Sequence, residues 1–137
     1  MKNTLPLHQH PEDTDKHLLF ADLNRWQEEI EIVNIEMIFY RNLIESHLRG
    51  ENSWHVNDYQ DLFDGIKDVQ GNNVAFQKKV LDFTTKVSGL AECDDLQCEH
   101  HFLNEHHNVK EKIEGHFSSY KNFKKTLLRY LKTKYNY

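Results

Sequence analysis

The stretch LFADLNRWQEEIEIVNIEMIFYRNLIESH, residues 19–47, decides the fold. Its periodic positions are Leu19, Leu23, Trp26, Ile30, Val33, Met37, Tyr40, Ile44 and His47, separated by unbroken steps of four and three. A backbone of 3.6 residues per turn gathers such positions into one stripe, whereas a strand would need alternation by two. The stripe is the seam by which one long helix lies lengthwise along its neighbours. Asp13 to Asp15 offer candidate caps before the stripe, and Gly50 offers a stop after it.

The same rhythm returns twice. A second stripe runs Tyr59, Leu62, Ile66, Val69, Asn73, Phe76, Val80, Phe83, Val87, Leu90. It opens near Ser53 to Asp58, where Asn57 and Gln60 have capping-box spacing. Gly71-Asn72-Asn73 resembles a turn, yet the stripe keeps its phase across it. The expectation is therefore one helix, bent at most at Gly71, with a four-helix chain as the alternative. Gly89 and Cys93-Asp94-Asp95 end it. The third stripe is Phe102, His106, Val109, Ile113, His116, Tyr120, Phe123, Leu127, Tyr130, Lys134, broadened by Leu103, Phe117, Leu128 and Leu131. Asp94 or Asp95 caps this helix. The reading predicts an all-α, up-down-up bundle of three antiparallel helices over roughly 18–49, 57–91 and 95–134. Residues 1–16, with Pro6 and Pro11, read as a flexible arm ahead of a single domain over 17–137.

Ile35, Leu43, Phe63, Val74, Leu81 and Leu128 fall outside the seams, and pairing into a homodimer would bury them. The formal charge of −5 is unevenly placed. Residues 1–70 carry −8, residues 71–119 carry −3, and residues 120–137 carry +6. Only the last segment could attract nucleic acid or an anionic membrane. Its Lys121, Lys124, Lys125, Arg129, Lys132 and Lys134 alternate with aromatics, but they also complement a helix C-terminus and the acidic first half. Nucleic acid is accordingly not the expected partner. No apolar run is long enough to enter a bilayer, and the polar start lacks a signal-peptide core. Two cysteines make no disulfide framework, so the expectation is a cytoplasmic protein with reduced thiols.

No phosphate loop, dinucleotide fingerprint, nucleophile elbow or HExxH motif occurs. Enzymatic action is therefore not expected. Ten histidines nevertheless pose the question of a metal. Glu-x-x-His and His-x-x-x-His, the spacings that aim two ligands from one helical face, are absent. His101/Glu105 and His107/Glu111 are i,i+4 pairs, and His100/His107 are seven apart. An antiparallel bundle gathers Cys93, Cys98, His100, His101, Glu105, His106 and His107 at one end, with His17 and the arm's His8 and His10. That is a ligand set suited to zinc, copper or iron. Within the seams, counting along the helices puts His106 level with Val80 and Trp26. It puts His116 within a turn of Asn73 and of Met37 or Glu36. Asn73, His106 and His116 thus form the expected buried polar layers, with Asn73 as partner to His116. A pH-sensing role is the sharper reading of those histidines. The opposite end collects His47, His55, Tyr59 and Tyr130, a polar cluster or small cleft.

Trp26-x-x-Glu29-Ile30, and the segment from Asp94 through Glu99-His100-His101 to Tyr120-Lys121 and Leu127-Leu131, resemble a helical-bundle family of flavobacteria and other Bacteroidetes. The resemblance implies a three-helix layout and a histidine-rich start to the last helix. It carries no activity. The functional expectation is a non-enzymatic bundle acting by self-association or by binding a protein partner, with metal binding at the Cys/His-rich end as the alternative.

Overall fold

Residues 11–50 and 56–135 are described by a computed structural model. They form three long helices: α1 (Pro11–Gly50), α2 (Val56–Val87) and α3 (Leu96–Tyr135). A 3-10 segment, Ser88–Glu92, connects α2 to α3. There is no strand among the described residues, and each long helix packs against the other two. None is apolar enough to cross a membrane.

The three stripes meet in one lengthwise core. Leu19, Trp26, Met37 and Ile44 of α1, Ile66 of α2, and Ile113 and Leu127 of α3 are fully buried. Tyr40, Phe76, Phe102, Val109, Phe123 and Tyr130 are half-buried and pack against that core. Each large apolar side chain so removed from water contributes on the order of 1.5–3 kcal/mol. Leu103, Phe117 and Leu131 widen the α3 seam as expected, whereas Leu128 faces outward.

Two boundaries differ from the sequence reading. α1 begins at Pro11 rather than near residue 18, so residues 11–16 are helical and not part of an arm. Asp13 to Asp15 consequently lie inside the helix instead of capping it. α2 gives up its α-helical geometry at Val87, and the chain tightens into a 3-10 turn before Cys93, which is extended at φ −66° and ψ 128°. α2 is unbroken at Gly71, as the phase of its stripe predicts: a Cβ there would meet no neighbour, so glycine serves no close approach and the helix passes through it. Gly65 is different. A Cβ at that position would collide with the Phe123 ring, so its absence lets α3 seat an aromatic directly on the α2 backbone.

Asp95 caps α3. Its Oδ1 accepts the Cys98 backbone N–H at 2.8 Å and its carbonyl accepts that of Glu99. Glu99 in turn holds Lys16 of α1 at 2.6 Å, fixing the start of α3 beside α1.

Candidate functional site

Two polar layers interrupt the core. In the first, Asn73 bridges all three helices. Its Nδ2 donates to the Ile30 carbonyl of α1 at 2.9 Å, and its Oδ1 lies 2.9 Å from His116 Nε2 of α3. With the amide so oriented, the His116 Nε2 is the donor, so a neutral ring carries its hydrogen there. His116 stacks on Phe76 at 4.9 Å between centroids. Burial pushes its pKa below the ordinary value of 6.5.

The second layer lies nearer the start of α1. His106 Nε2 donates to Asp22 Oδ2 at 2.8 Å, and the His106 ring lies 5.7 Å from that of Trp26. Arg25 donates to Asp22 Oδ1 at 3.1 Å and reaches Glu114 of α3 at 3.4 Å, while the Lys110 ammonium stands 4.0 Å from Asp22. Burial by itself would raise the Asp22 pKa, but the hydrogen bonds from His106 and Arg25 and the nearby cations outweigh it and hold the carboxyl below its usual value. Arg25 follows the same pattern: burial would lower its pKa, and the bond to Asp22 and the surrounding carboxylates raise it. The Asn73–His116 pair and the Trp26–His106 level agree with the residue count along the helices. Asp22 was not anticipated.

The Cys/His-rich end is built otherwise than expected. Cys93 and Cys98 are joined in a disulfide across the α2–α3 corner, their Cα atoms 5.5 Å apart. The reduced thiols foreseen from composition are thus corrected, and neither sulfur is a thiolate ligand in this state. The helical pairs do form, His101 with Glu105 at 3.2 Å and His107 with Glu111 at 3.1 Å, on exposed faces. Successive turns point them outward, so they do not converge with His100. Among the described residues there is no group of three or more His, Cys, Asp or Glu side chains placed to hold a metal. His8, His10, His55 and the side chain of His47 lie outside the described residues. Tyr130 is half-buried against the core with the Lys134 ammonium 5.5 Å from its ring centroid.

One arrangement had no counterpart in the sequence reading. α1 and α3 leave a cleft of about 190 Å³ between them, lined by Glu29, Ile32, Val33 and Glu36 from one side and Phe117, Tyr120, Lys121 and Lys124 from the other. Lys124 donates to Glu36 Oε2 at 2.7 Å across it, and its ammonium sits 5.6 Å from the Tyr120 ring centroid. Glu36 Oε1 and the Tyr120 hydroxyl are buried and have no hydrogen-bond partner. Burial and the Glu36 charge together raise the pKa of the adjacent Tyr40 phenol. The outer face of α1 beside this cleft is oily: Ile32, Ile35, Ile38 and Phe39 are 49–59% exposed.

No family model, curated protein or solved structure matches this chain.

Proposed function

We propose that this is a non-enzymatic helical bundle that acts by association with a second copy of itself through the outer face of α1. The observation that carries the reading is the run Ile32, Ile35, Ile38 and Phe39, whose three- and four-residue spacing keeps the exposed side chains adjacent over two turns. A cluster of this kind on one helix is the usual mark of a contact surface rather than of scattered surface apolar residues. The charges flanking it favour a copy of the same helix running the opposite way. Glu28 and Glu31 lie exposed before the cluster and Arg41 lies exposed after it, so antiparallel pairing about Ile35 brings acid to base at both ends. Of the six extra apolar positions read from the sequence, Leu43 and Phe63 turn inward onto the core, while Ile35, Val74, Leu81 and Leu128 remain exposed.

Sedimentation equilibrium tests the reading. The wild-type chain is expected to reach a dimer mass at micromolar concentration. The variant Ile35→Glu with Phe39→Glu is expected to remain monomeric with an unchanged helical circular-dichroism spectrum. A wild-type chain that stays monomeric to millimolar concentration overturns it. An intermediate expectation concerns geometry: Arg41→Glu should weaken the dimer, and restoring opposite charge with Glu28→Arg and Glu31→Arg should recover it.

A further inference from the structure

We propose that the α2–α3 corner is a thiol–disulfide exchange site, open to small thiols that carry an ammonium group and guarded against those that carry a carboxylate. It is independent of the self-association through α1. The reactive group is the Cys93–Cys98 bond itself. Cys93 follows the last residue of the 3-10 segment, Cys98 lies in the first turn of α3, and both are half-buried. Glu92, Asp94, Asp95, Leu96 and Gln97 around them are all exposed, so the bond joins two residues of a surface corner rather than two of the core.

The corner is also held without it. Leu90 is buried in the core just before Cys93. A Cβ on Gly89 would stand 3.5 Å from the Phe102 ring, so α3 rests directly on the 3-10 segment. Asp95 caps α3 through the Cys98 and Glu99 N–H groups, and Lys16 ties Glu99 to α1. A cross-link over a sequence separation of 5 withdraws little freedom from the unfolded chain, because the entropy removed grows with the enclosed loop. Breaking the bond therefore leaves the helices in place and the two cysteines near each other, which is what reversible exchange requires.

The step needs two thiols and no other oxidant than the protein's own bond. A thiolate forms a bond to one cysteine sulfur as the Cys93–Cys98 bond breaks, and the released cysteine thiolate takes up a proton. A second thiolate attacks the mixed disulfide, leaving the dithiol and one small-molecule disulfide. Charge selects the reagent. Glu92, Asp94, Asp95 and Glu99 each lie within two residues of a cysteine, and Lys16 stands against them beside Glu99. Every attacker arrives as a negative thiolate. A carboxylate on it adds to the repulsion and an ammonium cancels it.

Cysteamine, 2-mercaptoethanol and 3-mercaptopropionate are the probes, three thiols of similar size and different charge. Reduction is followed by alkylation and mass spectrometry at about pH 8.5, where the exposed His100 and His101 are neutral, and rates are expressed per thiolate. Raising salt from about 10 mM to about 500 mM is expected to speed 3-mercaptopropionate on the order of tenfold and cysteamine less than about twofold, with 2-mercaptoethanol between them. Glu92→Gln with Asp94→Asn should shrink the 3-mercaptopropionate response. Asp61→Asn with Asp68→Asn, which removes the same charge from exposed sites toward the other end of α2, should leave it intact. The reduced chain should keep its helical circular-dichroism spectrum and close the bond again when cystamine is supplied. The same salt response for all three thiols overturns the proposal, as does an equal effect of the two paired variants. So does a bond that yields only in urea, a reduced chain that loses its helices, or a dithiol that cystamine does not close. The three-thiol comparison on the wild-type chain stands even if a variant fails to fold.

Discussion

His106 and His116 occupy corresponding steps of the α3 stripe ten residues apart, and both are buried, yet they sit in opposite electrical settings. His116 meets an amide that is itself committed to a backbone carbonyl, so its Nε2 is a donor, and burial disfavours the charged ring. His106 meets the Asp22 carboxylate, flanked by Arg25 and Lys110 and close to solvent. The seam position fixes that an imidazole is buried. The neighbouring helix decides what its proton is bonded to. One layer is therefore a spacer that registers three helices, and the other is a charged clasp between two of them.

The largest effect that separates them comes from removing Asn73. Asn73→Ala strands the His116 N–H and leaves the small void of the missing amide. It is expected to cost about 2–4 kcal/mol in urea unfolding. The paired change Asn73→Leu with His116→Leu removes donor and acceptor together and should restore most of that loss. If the single variant costs as little as the pair, Asn73 is not the bridge described above. A smaller cost, about 1–2 kcal/mol, is expected for Asp22→Ala, because part of the clasp is exposed and Arg25 keeps Glu29 and Glu114 as partners. That loss should shrink at high salt, whereas the loss at Asn73 should not. Equal salt sensitivity of the two variants would abolish the distinction.

Acid gives the smallest and most discriminating effect. The His116 pKa is lower in the folded chain than 6.5, so the unfolded chain binds the proton more readily. Its stabilising share is whole above about pH 6.5 and is lost as pH falls from there through the depressed folded value. Asp22 works in a separate window, because its folded pKa lies below 3.8. Its share is whole above that value and is lost as pH falls through the folded one. Melting midpoints followed from about pH 7 to about pH 5 should therefore decline less in the Asn73→Leu, His116→Leu pair than in the wild type. A wild-type profile flat across this range would show that His116 does not titrate with unfolding.

The helices were legible in the sequence because one rhythm of steps serves both burial and chain direction. The Asn73–His116 bridge was legible too, since antiparallel rods of fixed rise can be counted against each other. Asp22 escaped because it flanks the seam, where a carboxylate on an acidic helix looks solvated until α3 supplies His106 and Lys110. The α1–α3 cleft escaped for a similar reason. Glu36, Tyr120 and Lys124 are unremarkable apart, and they meet only through the lateral offset between two helices. Among the described residues the metal-like gathering does not form: residues that share an end of a bundle need not point at one another, and Cys93 and Cys98 have satisfied each other. Pro11 misled because proline was read as a bar to helix, whereas the described chain is helical from Pro11 onward.

The Cys93–Cys98 bond encloses Asp94, Asp95, Leu96 and Gln97, the residues that turn the chain from α2 into α3. A protease that nicks the peptide inside this small ring severs the backbone without parting the halves. The clipped molecule would keep its intact mass, plus one water, on a gel run without thiol, and would fall into two pieces only once a reductant was added. The corner is thus a place where this chain can lose its covalent continuity and still behave as one body.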